Sequence, residues 1–438
     1  MSAFNDEIRK ILYNNQAYVD ERIEAGIEQY RKGYATLRFV DKDGNPVKNV
    51  RIKGELKKHA FHFGANLFML EELETTEKNE QYKTYFKSLF NMATLPFYWC
   101  DLEPEEGKPR YAKDSPKIYR RPAPDLCVEW CRENGIRPKA HCLNYDPWTP
   151  DWVEKYDVPV TKAQLEMHFK ELAQRYAGDI YPWEVTNETL FNNHKTKFYE
   201  QDDYVEWSFQ TANKCFPHNE LIINETNNTW KLFSGNRTPY YMQIERLLRS
   251  GHRVDAIGMQ YHMFGHRDVC LDLLRVAYDL KRFYIVLDKY AEFHKPLQIT
   301  EITIPAYTLD PEDEALQAEL ITRLYKLWFS HKNMEAIIYW NLVDGYAAYA
   351  PQGSEDGENY YHGGLIRYDF TKKPAYDALD HLINKEWHTT LDTVAKDGEL
   401  QFKGFYGDYE LEIASGSVAQ TAPFTLRKDA ENMITVVI

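Results

Sequence analysis

Two glutamates in this chain stand where a carboxyl group is costly. The run "DIYPWEVTNE" (179–188) is apolar and β-prone, yet it ends on Asn187–Glu188. "PLQITEITI" (296–304) is a second apolar run, and it carries Glu301. A carboxylate on a buried strand costs free energy unless it is paired or neutral. Two carboxyls brought face to face can divide one task. One protonates a leaving oxygen, while the other, ionised, attacks carbon or activates water. With aromatic surface nearby, this is the arrangement that glycoside hydrolysis uses. Aromatics make up 15% of the 438 residues, with 32 Tyr and 10 Trp, and flat aromatic faces suit flat substrates.

The elements that must position these groups alternate regularly. Strand-like runs occur at "FHFGANLF", "TLPFYWC", "IRPKAHCLNY", "DIYPWEVTNE", "ELIINET", "DAIGMQYH", "PLQITEITI" and "MEAIIYWNL". Amphipathic helices lie between them. One carries Leu165, Phe169, Leu172 and Tyr176 on one face, and another opens with Asp310 as N-cap and Pro311 in its first turn. Eight strands alternating with helices predict an α/β fold, a (β/α)8 TIM barrel over 59–386. A doubly wound open sheet is the alternative, but it favours a Gly-rich phosphate loop after a strand, and no GxGxxG or GxxxxGK[ST] occurs. The polar tips of the runs are Asn66, His141, Asn187–Glu188, Asn224–Glu225, Gln260 with His262, Glu301, and Trp340–Asn341. In a barrel these tips share one mouth. The fourth and seventh strands sit on opposite sides of it, so Glu188 and Glu301 can face each other.

The ends of the chain read differently. Residues 5–32 have helical spacing within an N-terminal segment 1–33, with Ile8, Ile11, Leu12, Tyr18, Ile23 and Ile27 on one face. Segments 34–58 and 387–438 alternate with period two around turns such as "DKDGNPV". We expect them to meet in one small β-sandwich, because neither set alone can bury its apolar face. That sandwich reads as a structural cap, since it shows no cluster of exposed Trp.

Composition narrows the partners. A net charge of −14 provides no basic stripe for nucleic acid. No run reaches the roughly 20 apolar residues of a membrane span. The N-terminus has no apolar leader core, so a cytoplasmic location is expected, although a mature chain with its leader removed would read the same. Cys100, Cys127, Cys131, Cys142, Cys215 and Cys270 show no CxxC or zinc-knuckle spacing, and are expected to be reduced and mostly buried. His59 and His62 sit before or inside the first strand and not at its tip, and His262 and His266 lack a third clustered ligand, so neither metal nor cofactor is expected. The oligomeric state, the sugar and its linkage, and endo or exo action are not set by the sequence.

Five motifs carry a family resemblance from about Phe61 to Leu382. The chain resembles glycoside hydrolase family 10, the endo-1,4-β-xylanase family. "WEVTNETL" is similar to its W-D-V-V-N-E acid/base motif and "ITEITI" to its T-E-[LI]-D-[IV] nucleophile motif. "DAIGMQYHM", "IINETN" and "GGLIRYDFTKKPAYDAL" are similar to three further family motifs, in the right order. The resemblance implies a carbohydrate substrate and a retaining two-glutamate mechanism. Glu188 would be the acid/base, with its pKa raised, and Glu301 the ionised nucleophile. His262 would hydrogen-bond Glu301, Asn187 would meet a sugar hydroxyl, and Trp340 would floor the subsite of the cleaved sugar. The family's sugar-gripping residues after the second strand are missing between Pro96 and Trp99. In the third motif His141, Pro150 and Trp152 remain, but Tyr145, Asp146 and Trp148 replace Trp, His and Gln. Tyr346 and Tyr349 stand near a Trp that is not matched. These changes favour a short oligosaccharide or a non-xylan β-glycoside over bare xylan. An exo-acting or oligosaccharide-specific β-glycosidase is one alternative. A non-catalytic sugar-binding barrel is another, but it would be expected to have lost one of the two glutamates.

Overall fold

The computed structural model of the protein describes residues 3–191, 194–267, 275–348 and 350–438. Eight strands close into a parallel barrel: β3 (His62–Asn66), β4 (Met92–Pro96), β5 (Arg137–His141), β6 (Pro182–Asn187), β7 (Glu220–Glu225), β8 (Ala256–His262), β9 (Leu297–Thr303) and β10 (Met334–Tyr339). Their order around the barrel is β10-β3-β4-β5-β6-β7-β8-β9. Helices cover the outer face, so most strand residues are buried on both sides. This is why the runs read as continuous apolar stretches and do not alternate. Helix starts follow local chemistry. The Asp157 carboxylate accepts from Val160 N at 3.1 Å and that of Asp310 from Glu312 N at 2.8 Å, each with a proline at the start of the helix.

The N-terminal segment forms two helices where the sequence spacing predicts one. α1 (Ala3–Leu12) and α2 (Gln16–Tyr30) are separated at Asn15, whose φ of 59° is left-handed. Asn adopts that conformation at little cost, and here it lets each helix turn its own apolar side inward. Ile8, Leu12, Val19 and Ile23 are buried, whereas Tyr18, expected on the same face, is 47% exposed.

β1 (Lys32–Val40) and β2 (Val50–His59) precede the barrel. β11 (Thr390–Ala395), β12 (Glu399–Phe405), β13 (Gly407–Ser415), β14 (Val418–Leu426) and β15 (Met433–Val437) follow it. They make two sheets, β12-β1-β15 and β11-β2-β13-β14. In β2 the buried Val50, Ile52, Gly54 and Leu56 alternate with the exposed Arg51, Lys53, Glu55 and Lys57. Phe402 of one sheet meets Tyr409 and Phe424 of the other, with ring centroids 5.9 and 6.2 Å apart. Both neighbours of β1 and both neighbours of β2 come from beyond the barrel. Deleting residues 388–438 is therefore expected to expose 34–58 to protease while barrel peptides stay protected. Limited proteolysis with mass spectrometry reads this out, and protection of 34–58 in the truncated chain would refute it. Among the described residues no helix is long and apolar enough to cross a membrane.

Candidate active site

At the carboxyl ends of the barrel strands, one amide links the two glutamates singled out above. Gln260 Nε2 on β8 donates to Glu188 Oε1 at 2.9 Å and to Glu301 Oε1 at 3.1 Å. Those two oxygens can therefore be no farther apart than 2.9 and 3.1 Å laid end to end. Local backbone irregularities set the aim of these groups. The β8–β9 register shifts between Met259 and Gln260, which brings Gln260 opposite Glu301. Glu188 follows the last residue of β6 with φ 52°, a left-handed conformation that is rare for a residue with a side chain.

A second amide supports the first. Asn224 Nδ2 donates to Asn187 Oδ1 at 2.8 Å and to Glu301 Oε1 at 3.0 Å, while Thr300 Oγ1 donates to Asn224 Oδ1 at 2.6 Å and fixes which way the amide points. Gly258 keeps this bond possible, because a Cβ there would lie 2.6 Å from Asn224 Oδ1. His262 Nε2 is 3.0 Å from Glu301 Oε2, and its Nδ1 is 2.9 Å from Thr303 Oγ1. With the Thr303 hydroxyl donating to Nδ1, Nε2 carries the proton and donates to Glu301. Tyr145 Oη donates to Glu188 Oε2 at 2.6 Å. Behind Glu301 the Glu184 carboxylate pairs with Lys139 Nζ and His141 Nδ1, all three side chains being essentially inaccessible.

Burial and charge explain the titration of these groups. Burial pushes the Glu301 carboxyl up, to about 8, with Glu184 and Glu188 adding to the shift and His141 and Lys139 opposing it. Burial also pushes Glu184 up, but Lys139 and His141 outweigh it and hold the group down at about 2. Burial lowers His141, yet the charges of Glu184 and Glu301 reverse the sign and its net shift is upward. His262 is lowered by burial to about 4, so it is neutral near pH 7. Burial first, and then the neighbouring carboxylates, thus weigh against the charged form of Glu301 and favour a proton there. Glu301 binds that proton more tightly when folded than when unfolded. Between about pH 4.5 and 8 the native state therefore holds more protons, and its stability falls as pH rises. Glu301→Gln removes this penalty. Its thermal midpoint is expected to exceed that of the native chain at pH 8 by roughly 1 °C for each kcal/mol recovered, with the gap closing near pH 4.5. A gap independent of pH in thermal scans would contradict this.

The structure brings together most of the residues singled out from sequence. His141, Tyr145, Trp148, Asn187, Glu188, His262, Glu301 and Trp340 line one cavity of 150 Å³, with Asn224 and Gln260 directly behind the glutamates. Asn66 stands back from it: its carbonyl accepts from Tyr82 Oη at 3.1 Å and its amide lies 3.5 Å from Asn341 Oδ1. Asp146 does not face the mouth. It sits in a short turn before Pro147, and its buried carboxylate accepts from Thr196 N at 3.0 Å and from Lys195 N and Thr196 Oγ1. Tyr346 is buried and does not line the cavity, its hydroxyl donating to Glu74 at 2.8 Å. Tyr349 and Cys270 lie outside the described residues. His59 and His62 sit at the opposite end of the barrel, at the end of β2 and the start of β3. Among the described residues, His141, Glu184 and Glu301 have ligand atoms within 4.8 Å of one another, but the Lys139 ammonium already supplies a positive charge there. Sequence reading missed Phe68, Tyr98, Arg120, Arg121, Phe264 and Glu358, all of which line the cavity. It also missed the Lys139–Glu184 pair, although opposite charges inside two adjacent apolar runs were a visible signal.

Fold and site together define a TIM-barrel protein with a paired-carboxylate centre at its mouth. Residues 55–381 match the glycosyl hydrolase family 10 pattern, and the chain belongs to that family. It is 26% identical over 403 residues to an anti-sigma-I factor of Acetivibrio thermocellus, covering 90% of this chain and 46% of that protein. It is 25% identical over 311 residues to a β-1,4-xylanase of Dictyoglomus thermophilum, covering 64% of this chain and 84% of the enzyme. Endo-1,4-β-xylanase 2 of Arabidopsis thaliana is 23% identical over 412 residues, which are 91% of this chain but 34% of that protein. The chain thus spans less than half the length of some relatives. Native xylanase 10B of Thermotoga maritima shares the fold, with a TM-score of 0.61 at 21% identity over 75% of this chain and 96% of that one.

Proposed function

We propose that the protein hydrolyses β-glycosides with retention of configuration, acting on a plant-type polysaccharide or its oligosaccharides. The observation that carries this reading is the single Gln260 amide within 2.9 and 3.1 Å of both glutamates. One oxygen of each carboxyl is thus held close to the other, which supports the roughly 5–5.5 Å carboxyl separation of retaining enzymes over the roughly 6.5–9.5 Å that an inverting water requires. Glu301, ionised, attacks the anomeric carbon, and Glu188 gives its proton to the departing oxygen. A glycosyl ester forms on Glu301. Water enters, Glu188 takes its proton, the hydroxide oxygen bonds to the anomeric carbon, and Glu301 is released.

The surroundings serve these steps. Asn224, Gln260 and His262 all direct donors at Glu301, which favours its charged form as the substrate arrives. The first step requires a proton on Glu188 and a charged Glu301. In this reading Asn187 meets the sugar's 2-hydroxyl, and Trp340 offers the apolar floor. Proton NMR of the first-formed product tests the reading: the β-anomer is expected to appear first and then mutarotate. Initial release of the α-anomer would overturn it.

A further inference from the structure

The barrel order divides the mouth into two arcs. Glu301 on β9 and Glu188 after β6 stand at the junctions, with β10, β3, β4 and β5 on one side and β7 and β8 on the other. Nearly all other cavity-lining residues come from the first arc. β7 and β8 contribute only His262 and Phe264 among the described residues. The space for a sugar therefore lies in the first arc, and the leaving group departs over the second.

That first arc is walled. Tyr98, in the loop after β4, stacks on Trp148 with ring centroids 4.5 Å apart. The Arg121 guanidinium lies over both rings, 4.3 Å from the Tyr98 centroid and 4.7 Å from that of Trp148. Asp101 fixes Arg121 from behind at 2.6 Å. Phe68 closes the corner against Tyr98 and Trp340, at 6.0 and 5.2 Å. Tyr98, Arg121 and Phe68 are all at least nine-tenths buried, so the wall is packed structure and not a movable rim. The cavity it leaves is 150 Å³, below the roughly 300–1,000 Å³ of sites that enclose a drug-sized ligand.

Charge selects among sugars. Arg121 is neutralised by Asp101. Arg120 lines the cavity, is 3% exposed, and is held by its Nη1, which donates to Asn341 Oδ1 at 3.0 Å and to the Tyr346 carbonyl; Glu358 lines the cavity too. The Arg120 charge is offset by that of Glu358, so the site is not cationic whichever protons the two glutamates hold. It has no excess positive charge to bind a sugar carboxylate.

We propose that the site is a closed pocket for one neutral terminal sugar, so that the protein removes single residues from the non-reducing end. The hydrolytic part of the test rests on the function proposed above; the binding part does not. Matched 4-nitrophenyl β-glycosides and β-biosides (glucose with cellobiose, xylose with xylobiose) are to be compared in two ways. One is kcat/KM with the native protein, and the other is calorimetric binding to Glu188→Gln, which retains the wall. In at least one pair 4-nitrophenol is expected to leave the monoside with a kcat/KM at least tenfold above that for its release together with the intact disaccharide from the bioside, which is to be cut first between its two sugars; the monoside is expected to bind, and the glucuronide to show neither. Trp148→Ala is expected to raise release of the intact disaccharide at least tenfold relative to the monoside rate by opening the wall. Release of the intact disaccharide as the main first product, or no binding of any monoside, overturns the pocket. Monosides bound selectively but never hydrolysed would uphold the pocket and refute the glycosidase reading instead.

Discussion

Replacing Glu301 with alanine is expected to abolish turnover of every substrate, including aryl β-glycosides whose leaving group needs no proton. Glu188→Ala is expected to behave differently. A general acid contributes about 10²–10⁴-fold, and that contribution is small when the leaving group is already good. Glu188→Ala should therefore still form the glycosyl ester from a 2,4-dinitrophenyl glycoside, show a burst of phenolate, and then stall, because no base activates water. Azide, which needs no deprotonation, should restore turnover and yield the β-glycosyl azide. The asymmetry follows from position: Glu301 accepts from Asn224, Gln260 and His262, a donor set suited to an anion, whereas among the described residues Glu188 accepts from Tyr145 and Gln260. Identical behaviour of the two variants on the activated substrate would remove the division of roles.

The second large effect is on stability. Lys139 and Glu184 are completely inaccessible and paired inside the barrel, with His141 on the other carboxylate oxygen. Removing one partner of a buried pair leaves the other charge uncompensated, at a cost of about 3–5 kcal/mol. Glu184→Leu should lose that much in denaturant unfolding, and adding Lys139→Met should recover a large part. Activity should fall in both variants, because His141 loses the carboxylate that orients it. A Glu184→Leu variant within 1 kcal/mol of the native chain would mean the pair contributes little.

The barrel was legible because buried parallel strands read as apolar runs, and because the polar residue ending each run is a local feature of sequence. Glu188, Glu301, Gln260 and His262 were found in this way. What could not be read depends on contacts distant in sequence. Arg120 and Arg121 lie in an aperiodic loop, and their place becomes evident only when Tyr98 and Trp148 are seen beneath Arg121. Asp146 looked like a mouth residue by its place in a motif, but its partners, Lys195 and Thr196, lie about fifty residues later. The break between α1 and α2 turns on a single backbone angle at Asn15, which apolar spacing does not record.

The two amides at the centre invite a count of hydrogens. Gln260 and Asn224 own four N–H hydrogens between them. Five short contacts claim these: Gln260 to Asn187, Glu188 and Glu301, and Asn224 to Asn187 and Glu301. At any instant one contact goes unserved. The amide hydrogens lie fixed in their planes, so the shortfall is reassigned by small torsions of the Gln260 side chain, with the backbone left in place. When negative charge passes from one glutamate to the other, the vacancy can pass the opposite way. A centre that redistributes a fixed stock of hydrogens needs no rearrangement of its frame between the two halves of its cycle, and rigidity and adaptability are then served by the same pair of side chains.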